Sequence, residues 1–153
     1  MPQVGIIVGS TSDRPVMEDT LKTLTELGVE AELVAASAHR DPDRVRDWVL
    51  GAEERGIEVI IAAAGGAAAL PGVVASHTSL PVIGVPLTSS DLNGVDALHS
   101  IVMMPPGIPV ATVAVGAWGA RNAALLAAEV LGIKYAKIRQ AVDEYRQRLR
   151  ERR

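Results

Sequence analysis

The chain has 153 residues, a formal net charge of −3, no cysteine, and only 3% aromatic residues within a hydrophobic content of 48%. This length fits one domain with a substantial core, and the lack of cysteine excludes disulfides, thiolate nucleophiles and thiolate metal sites. The slight negative charge argues against broad nucleic-acid binding, and no apolar run approaches the ~20 residues of a membrane span. We therefore expect a soluble, cytoplasmic protein with a single domain over residues 1–153.

The chain repeats one pattern: an apolar strand, a short turn rich in small polar residues, and a helix. The first strand, Val4–Val8, ends at Gly9–Asp13, and a helix to about Leu27 follows. Ser12 or Asp13 can cap this helix. Hydroxyls and small residues at a helix start also suit an anion cradle. Capping alone and phosphate or sugar binding both stay open for this turn.

The second unit places a histidine and an arginine in a turn after a strand. Its strand is Ala31–Ala36, its turn is Ser37–Arg40, and its helix is predicted from Asp41-Pro42 to Glu54 or Arg55. A histidine in such a turn can transfer protons, because the unperturbed pKa of histidine lies near neutrality. Arg40 offers a planar donor fork for phosphate or carboxylate. A solvated turn is the alternative for an isolated His-Arg pair.

The third unit, Val59–Gly72, begins as a continuous apolar run, which suits a strand buried on both faces of a parallel sheet. It then drops to Gly65-Gly66 and three alanines, so a ligand could approach the backbone closely. Leu70-Pro71 can open a short helix to about Thr78. A tight turn with close packing is the alternative explanation for the two glycines.

The remaining units complete the α/β pattern and add a tail. They are the strand Leu80–Pro86, a loop over Thr88–Asp91, a helix over Val95–Val102, the strand Val110–Val115 and an alanine-rich helix over Ala120–Leu131. In the tail, 133–153, apolar residues recur at helical spacing and predict an extra amphipathic helix: Ile138, Val142, Tyr145 and Leu149. Its apolar stripe can dock on the body of the protein or on a neighbouring subunit.

Five strand-turn-helix units predict a parallel sheet with helices on both faces, joined by right-handed crossovers. Ligands of such sheets bind at the carboxyl ends of the strands. This rule gathers the polar turns into one site: Gly9–Asp13, Ser37–Arg40, Gly65–Leu70 and, as a further candidate, Thr88–Asp91. The site holds phosphate-type donors and one imidazole. We expect no metal site, because His77 and His99 lack carboxylates at metal-ligand spacing.

Three motifs resemble the class I N5-carboxyaminoimidazole ribonucleotide mutase family of purine biosynthesis: G-S-T-S-D at Gly9–Asp13, S-A-H-R at Ser37–Arg40 and A-G-G-A-A at Ala64–Ala68. Further matches lie at Leu70–Gly72, Pro81–Pro86, Leu92–Asp96 and Gly107–Thr112, so the resemblance covers essentially the whole chain. It implies a flavodoxin-like αβα sandwich, assembled into an octamer in which the C-terminal helix reaches neighbouring subunits. It also implies transfer of a carboxylate from the exocyclic nitrogen of an imidazole ribonucleotide to the adjacent ring carbon, without metal or organic cofactor.

The resemblance further implies roles for individual residues. Ser10 and Arg40 would bind the phosphate and Asp13 the ribose, while His39 would relay a proton. The other substrate-binding positions would be Gly9, Ser12, Ser37, Ala64, Gly65, Gly66, Ala67, Ala68 and Leu70. Within this set, the small wall Gly65–Ala68 would leave room for the ring and for trapped carbon dioxide.

Two positions depart from the family pattern. Ala69 stands where the family has histidine, and Met103 stands where it usually has glutamine. Ala69 removes a second imidazole from the site, which leaves the fold and nucleotide binding little affected but bears on turnover. The alternatives to the mutase are therefore the related carboxylase, which uses aminoimidazole ribonucleotide and free carbon dioxide, and a catalytically weakened nucleotide-binding protein.

Overall fold

The computed structural model describes residues 1–152 and contains a five-stranded parallel sheet. Its strands are β1 (Val4–Val8), β2 (Ala31–Ala35), β3 (Val59–Ala64), β4 (Val82–Pro86) and β5 (Ala111–Thr112). The order across the sheet is β2-β1-β3-β4-β5, and every pairing is parallel. The chain therefore changes direction across the sheet between β1 and β3, which is the switch point of the flavodoxin-like order.

Helices cover both faces of the sheet, as predicted. Within residues 1–152 they are α1 (Arg14–Glu26), α2 (Pro42–Leu50), α3 (Leu70–Ser76), α4 (Val95–Val102), α5 (Ala117–Gly132) and α6 (Ala136–Glu151). One apolar cluster joins α1, α5 and α6 to the sheet, and a second joins α2, α3 and α4 to the opposite face. The predicted three-layer αβα sandwich with an extra C-terminal helix is confirmed.

Alternation along the strands explains why the sheet carries two cores. Ile6 and Val8 belong to the cluster under α1 and α5, whereas Ile7 belongs to the cluster under α2 and α3. All six residues of β3 are buried. On one face, the small residues of α5 allow close packing, and the buried hydroxyl of Thr20 donates to the carbonyl of Ala120 at 2.7 Å.

Among the predicted elements, the fifth strand and the second helix are shorter than predicted. The fifth strand has two residues instead of the predicted Val110–Val115, although Val113 N and Gly116 N still donate to carbonyls of β4. The segment thus follows β4 but leaves the regular ladder. The second helix stops at Leu50, because Gly51 ends it and Glu53–Arg55 forms a separate 3-10 turn.

The tail forms a helix that docks first on the protein's own body. Ile138 and Val142 are buried against the cluster that contains α5, and Arg146 pairs with Glu129 on α5 at 2.8 Å. Leu149 remains half-exposed. The predicted helical spacing is therefore confirmed over Ala136–Glu151, while the predicted end at Arg153 lies outside the described residues.

None of the helices in residues 1–152 combines the length and the hydropathy that a bilayer crossing requires.

Candidate active site

A cavity of about 540 Å³ lies where β1, β2, β3 and β4 end. Every predicted site residue lines it except Gly66 and Ala67. Those two lie in the turn that closes the cavity wall, where Gly66 has a φ of 62° and Ala67 is exposed. The strand order therefore brings three turns that are distant in sequence into one site at the switch point.

The turn after β1 is shaped by Ser10. Ser10 has an extended backbone, and its Oγ accepts a hydrogen bond from Ser12 N at 3.2 Å while lying 2.9 Å from Ser12 Oγ. Asp13 stands at the predicted N-cap position of α1, but its side chain makes no capping hydrogen bond. A 3-10 turn over Thr11–Asp13 precedes α1, and the Ser10 side chain caps that turn. A Cβ at Gly9 would meet no atom within 4 Å, so the chain leaves this side of the cavity open.

Asp13 is the one buried carboxylate that lines the cavity. It is 9% exposed and makes no capping hydrogen bond, although it stands at the start of α1. Burial raises the pKa of Asp13 above its ordinary value of 3.8. An acceptor without a partner at this place is available to a ligand hydroxyl.

The cost of burying Asp13 gives a pH-dependent stability prediction. Burial raises the pKa of Asp13 in the folded state above its value in the unfolded chain. The folded protein therefore loses stability as the pH rises between these two pKa values. Above the folded-state pKa, the whole cost of burying the charged carboxylate is present. Asp13→Asn should therefore raise the Tm at pH 7 by a few degrees. This gain should disappear as the pH falls below 3.8, where both states are protonated.

Thermal unfolding across the acidic range checks this prediction, with Asp41→Asn as the matched control. Asp41 stands at the start of α2, also without a side-chain capping bond, but it is exposed. Its substitution should leave the Tm almost unchanged. Equal gains for both variants would show that burial is not the cause.

In the turn after β2, a serine orients an arginine. Ser37 Oγ accepts from Arg40 N at 3.1 Å and from Arg40 Nε at 3.3 Å, while Ser37 O accepts from Asp41 N at 2.9 Å. No salt bridge in residues 1–152 involves Arg40, so its terminal nitrogens stay available. His39 is exposed and lines the cavity beside it. The turn thus presents an imidazole and a cation together.

The turn after β3 forms a wall of backbone and small side chains. Ala68 adopts a φ of 47°, and its N–H donates to Gly65 O at 3.1 Å. From α4, the Ser100 hydroxyl donates to the carbonyl of Ala67 and fixes the turn from outside. The helix predicted from Leu70 is confirmed, although it ends at Ser76 and not at Thr78. The wall therefore keeps its shape without large side chains.

Three further residues line the cavity: Ala38, Ala69 and Ser89. The side chains of Ala38 and Ala69 have no functional group, so the sequence indicates a place in the site for them only because they adjoin the predicted site residues. Ser89 lies in the loop after β4, which was predicted as a further candidate for the site because it follows the carboxyl end of a strand. His77 and His99 lie on or beside other helices, away from the cavity lining. No cluster of acidic and histidine residues that could hold a metal is found in residues 1–152.

The strand order and the position of the cavity define a class: a flavodoxin-like α/β protein with a cavity of about 540 Å³ at its switch point. Comparison with known families makes the assignment specific. A family model described as AIR carboxylase matches residues 3–152. The chain belongs to this family, which is a family of enzymes.

Relatives of known name agree with the family. The chain is 59% identical over 150 residues to the N5-carboxyaminoimidazole ribonucleotide mutase of Thermotoga maritima, covering 98% of this chain and 86% of the relative. It is 53% identical over 150 residues to that of Saccharolobus solfataricus, covering 98% and 94%. The crystal structure of Treponema denticola PurE matches with a TM-score of 0.87 at 29% identity, covering 99% and 93%. These matches confirm the resemblance noted in the sequence and the flavodoxin-like fold.

Proposed function

We propose that this protein is an N5-carboxyaminoimidazole ribonucleotide mutase of purine biosynthesis. It moves a carboxylate from the exocyclic nitrogen of the substrate to the adjacent ring carbon, giving 4-carboxyaminoimidazole ribonucleotide. One observation carries this proposal: a single cavity collects the phosphate-type donors, one imidazole and a wall of small residues. The names of relatives with 52–59% identity support the same activity.

The first two turns supply nucleotide binding. Arg40 has no acidic partner and is held by Ser37, so its guanidinium suits the substrate phosphate, with Ser10 as a second donor. Asp13 is buried and without a capping bond, so its carboxylate suits the ribose hydroxyls. These contacts place the imidazole ring of the substrate beside His39 and the wall of the third turn.

His39 relays the proton that the rearrangement requires. As the bond between nitrogen and carboxylate breaks, carbon dioxide is released and protonated His39 donates a proton to the nitrogen. The electron pair of the ring then forms the new bond between the ring carbon and carbon dioxide. Neutral His39 accepts the proton that leaves this carbon and returns to its starting state, so no net proton is consumed.

The third turn holds the released carbon dioxide. Gly65, Ala68 and Leu70 present backbone and apolar atoms to the cavity, and none of them can react with carbon dioxide. A ring bound across the opening would exclude water and prevent escape of the gas. The small residues Gly65 and Ala68 leave room for the released gas.

The family description favours the carboxylase as a second candidate, since it names AIR carboxylase. Incubation with each substrate, with and without bicarbonate, separates the alternatives. The mutase should convert N5-carboxyaminoimidazole ribonucleotide without bicarbonate. The carboxylase would instead convert only aminoimidazole ribonucleotide, and it would do so only when bicarbonate is present. Binding of both without conversion would identify a weakened nucleotide-binding protein.

Ala69 provides a test of how complete the site is. It lines the cavity at the start of α3 and is half-buried, and its methyl group cannot donate a hydrogen bond to a migrating carboxylate. We expect Ala69→His to raise kcat/KM for the mutase reaction at least ~10-fold, which is about 1.4 kcal/mol of transition-state stabilisation. Steady-state kinetics of the parent and the variant measure this change.

Ala67→His is the matched control for this substitution. Ala67 lies in the same turn, but it is exposed and does not line the cavity. It should leave kcat/KM within about twofold. If Ala69→His is equal to or slower than the parent, Ala69 belongs to a working site that has been compensated elsewhere.

We also propose that the protein assembles into a homo-oligomer, as an octamer. Large apolar side chains on its surface support this: Trp118, Met103 and Ile133 are 82%, 78% and 86% exposed. Burial of such side chains between subunits would stabilise an assembly. Light scattering should return a mass near eight times that of the monomer, and Trp118→Asp should lower it. A particle of monomer mass at micromolar concentration would contradict the proposal.

A further inference from the structure

The loop after β4 brings a hydroxyl into the cavity wall. Ser89 lines the cavity from this loop, and its side chain rests on the backbone of Gly65. A Cβ at position 65 would lie 1.9 Å from Ser89 Oγ and 3.4 Å from the carbonyl of Leu87. The Ser89 hydroxyl therefore occupies the space that any side chain at position 65 would need. Gly65 is required for this placement and not only for the turn in which it lies.

The loop that carries Ser89 is anchored on both sides. Leu87 N donates to Ala64 O at 3.0 Å, which continues the pairing of β4 with β3. Beyond Ser89, the Ser90 hydroxyl donates to Asp96 Oδ2 at 2.6 Å and accepts from Leu92 N at 3.2 Å. That bond from Ser90 lowers the pKa of Asp96, so the acceptor stays ionised at neutral pH.

The two serines of this loop thus have different roles. Ser90 uses its hydroxyl to hold the loop against α4, and Ser89 takes part in none of these bonds. Asp96 accepts the Ser90 hydroxyl and so helps to hold the loop that carries Ser89. The result is a placed hydroxyl that faces the cavity and keeps its donor for a ligand.

Its place along the sheet indicates which part of a ligand it meets. The phosphate-type donors follow β1 and β2, whereas Ser89 follows β4, which lies two strands beyond β1. Neighbouring strands are 4.7–4.9 Å apart, so this displacement is about 10 Å. A ribonucleotide with its phosphate at the β1–β2 end extends its base towards Ser89.

We propose that the Ser89 hydroxyl donates a hydrogen bond to the carboxylate carried by the base of the bound nucleotide. This inference rests on the proposed function and names a contact for the group that moves. A neutral hydroxyl can donate to the carboxylate both when it is on the nitrogen and when it is on the carbon. A cationic side chain would bind the carboxylate more strongly and hold it in one place. Removing a donor to a charged acceptor should cost about tenfold in affinity for the carboxylated nucleotide.

Calorimetry with two nucleotides tests this contact independently of turnover. The probes are 4-carboxyaminoimidazole ribonucleotide and aminoimidazole ribonucleotide, which lacks the carboxylate. Ser89→Ala should weaken binding of the first about tenfold and leave binding of the second within twofold. Ser79→Ala is the matched control, since Ser79 is an exposed loop serine before β4, at the opposite end of the same strand. It should change neither affinity.

Each other outcome has a definite meaning. Equal losses for both nucleotides, or no loss for either, would overturn the role of Ser89 and leave the proposed function intact. If the parent binds both nucleotides but converts neither substrate, the proposed function is wrong. The loss of affinity of Ser89→Ala for each nucleotide still tests the contact between Ser89 and the carboxylate. If the parent binds neither nucleotide, both proposals are wrong.

Discussion

His39→Asn is expected to abolish mutase turnover, lowering kcat by at least about 10³-fold, because one imidazole would both donate and accept the transferred proton. Nucleotide affinity should stay within about tenfold of the parent, since the proposed phosphate donors, Ser10 and Arg40, remain in the cavity. Turnover of N5-carboxyaminoimidazole ribonucleotide and calorimetric binding of the product measure the two effects separately.

His99→Asn serves as the control for this experiment. His99 is an exposed histidine on α4 that does not line the cavity, so its substitution should leave both measurements unchanged. If His39→Asn keeps its turnover within a factor of ten of the parent, another group carries the proton and our assignment is wrong.

Gly119→Ala is expected to lower the stability of the folded protein strongly. A Cβ at this position would lie 1.7 Å from the carbonyl oxygen of Ala114 and 2.7 Å from its carbon. Both are backbone atoms, so no side-chain rotation can relieve the clash and the start of α5 must move. We expect a loss of at least about 3 kcal/mol in the free energy of unfolding. The Tm should fall by roughly 6–12 °C.

Denaturant and thermal unfolding measure this loss, and Gly9→Ala is the control for stability. A Cβ at Gly9 meets no atom within 4 Å, so the same substitution there should leave the Tm within about 2 °C. A Tm for Gly119→Ala as close to the parent as this would mean that α5 can shift without cost.

Local sequence patterns predicted the fold well wherever a residue's neighbours in sequence also decide its environment. β1, β3 and α4 follow from apolar runs and helical spacing, and the three site turns follow from their place after strands. The extent of β5 could not be predicted, because it depends on how an edge segment pairs with β4. The N-cap of the first helix was predicted at Ser12 or Asp13, but the side-chain cap is made one turn earlier by Ser10, because a 3-10 turn precedes the helix.

The candidate site shows the same division between local and distant causes. His39 and Arg40 were predicted from a two-residue motif in one turn, and both line the cavity. Gly66 was predicted with its neighbour Gly65 but does not line the cavity, and its backbone is left-handed. The contact of Ser89 with Gly65 joins two loops and has no signature in either sequence segment.

The position of α5 has a consequence for synthesis of the protein. Every cavity-lining residue precedes position 90, whereas the helix that covers one face of the sheet begins at Ala117. A growing chain on the ribosome therefore carries all residues of the site while the apolar face under α5 is still bare. Such exposed strands favour aggregation until they are covered. The nascent chain thus needs protection of this face over the interval in which α5 is made.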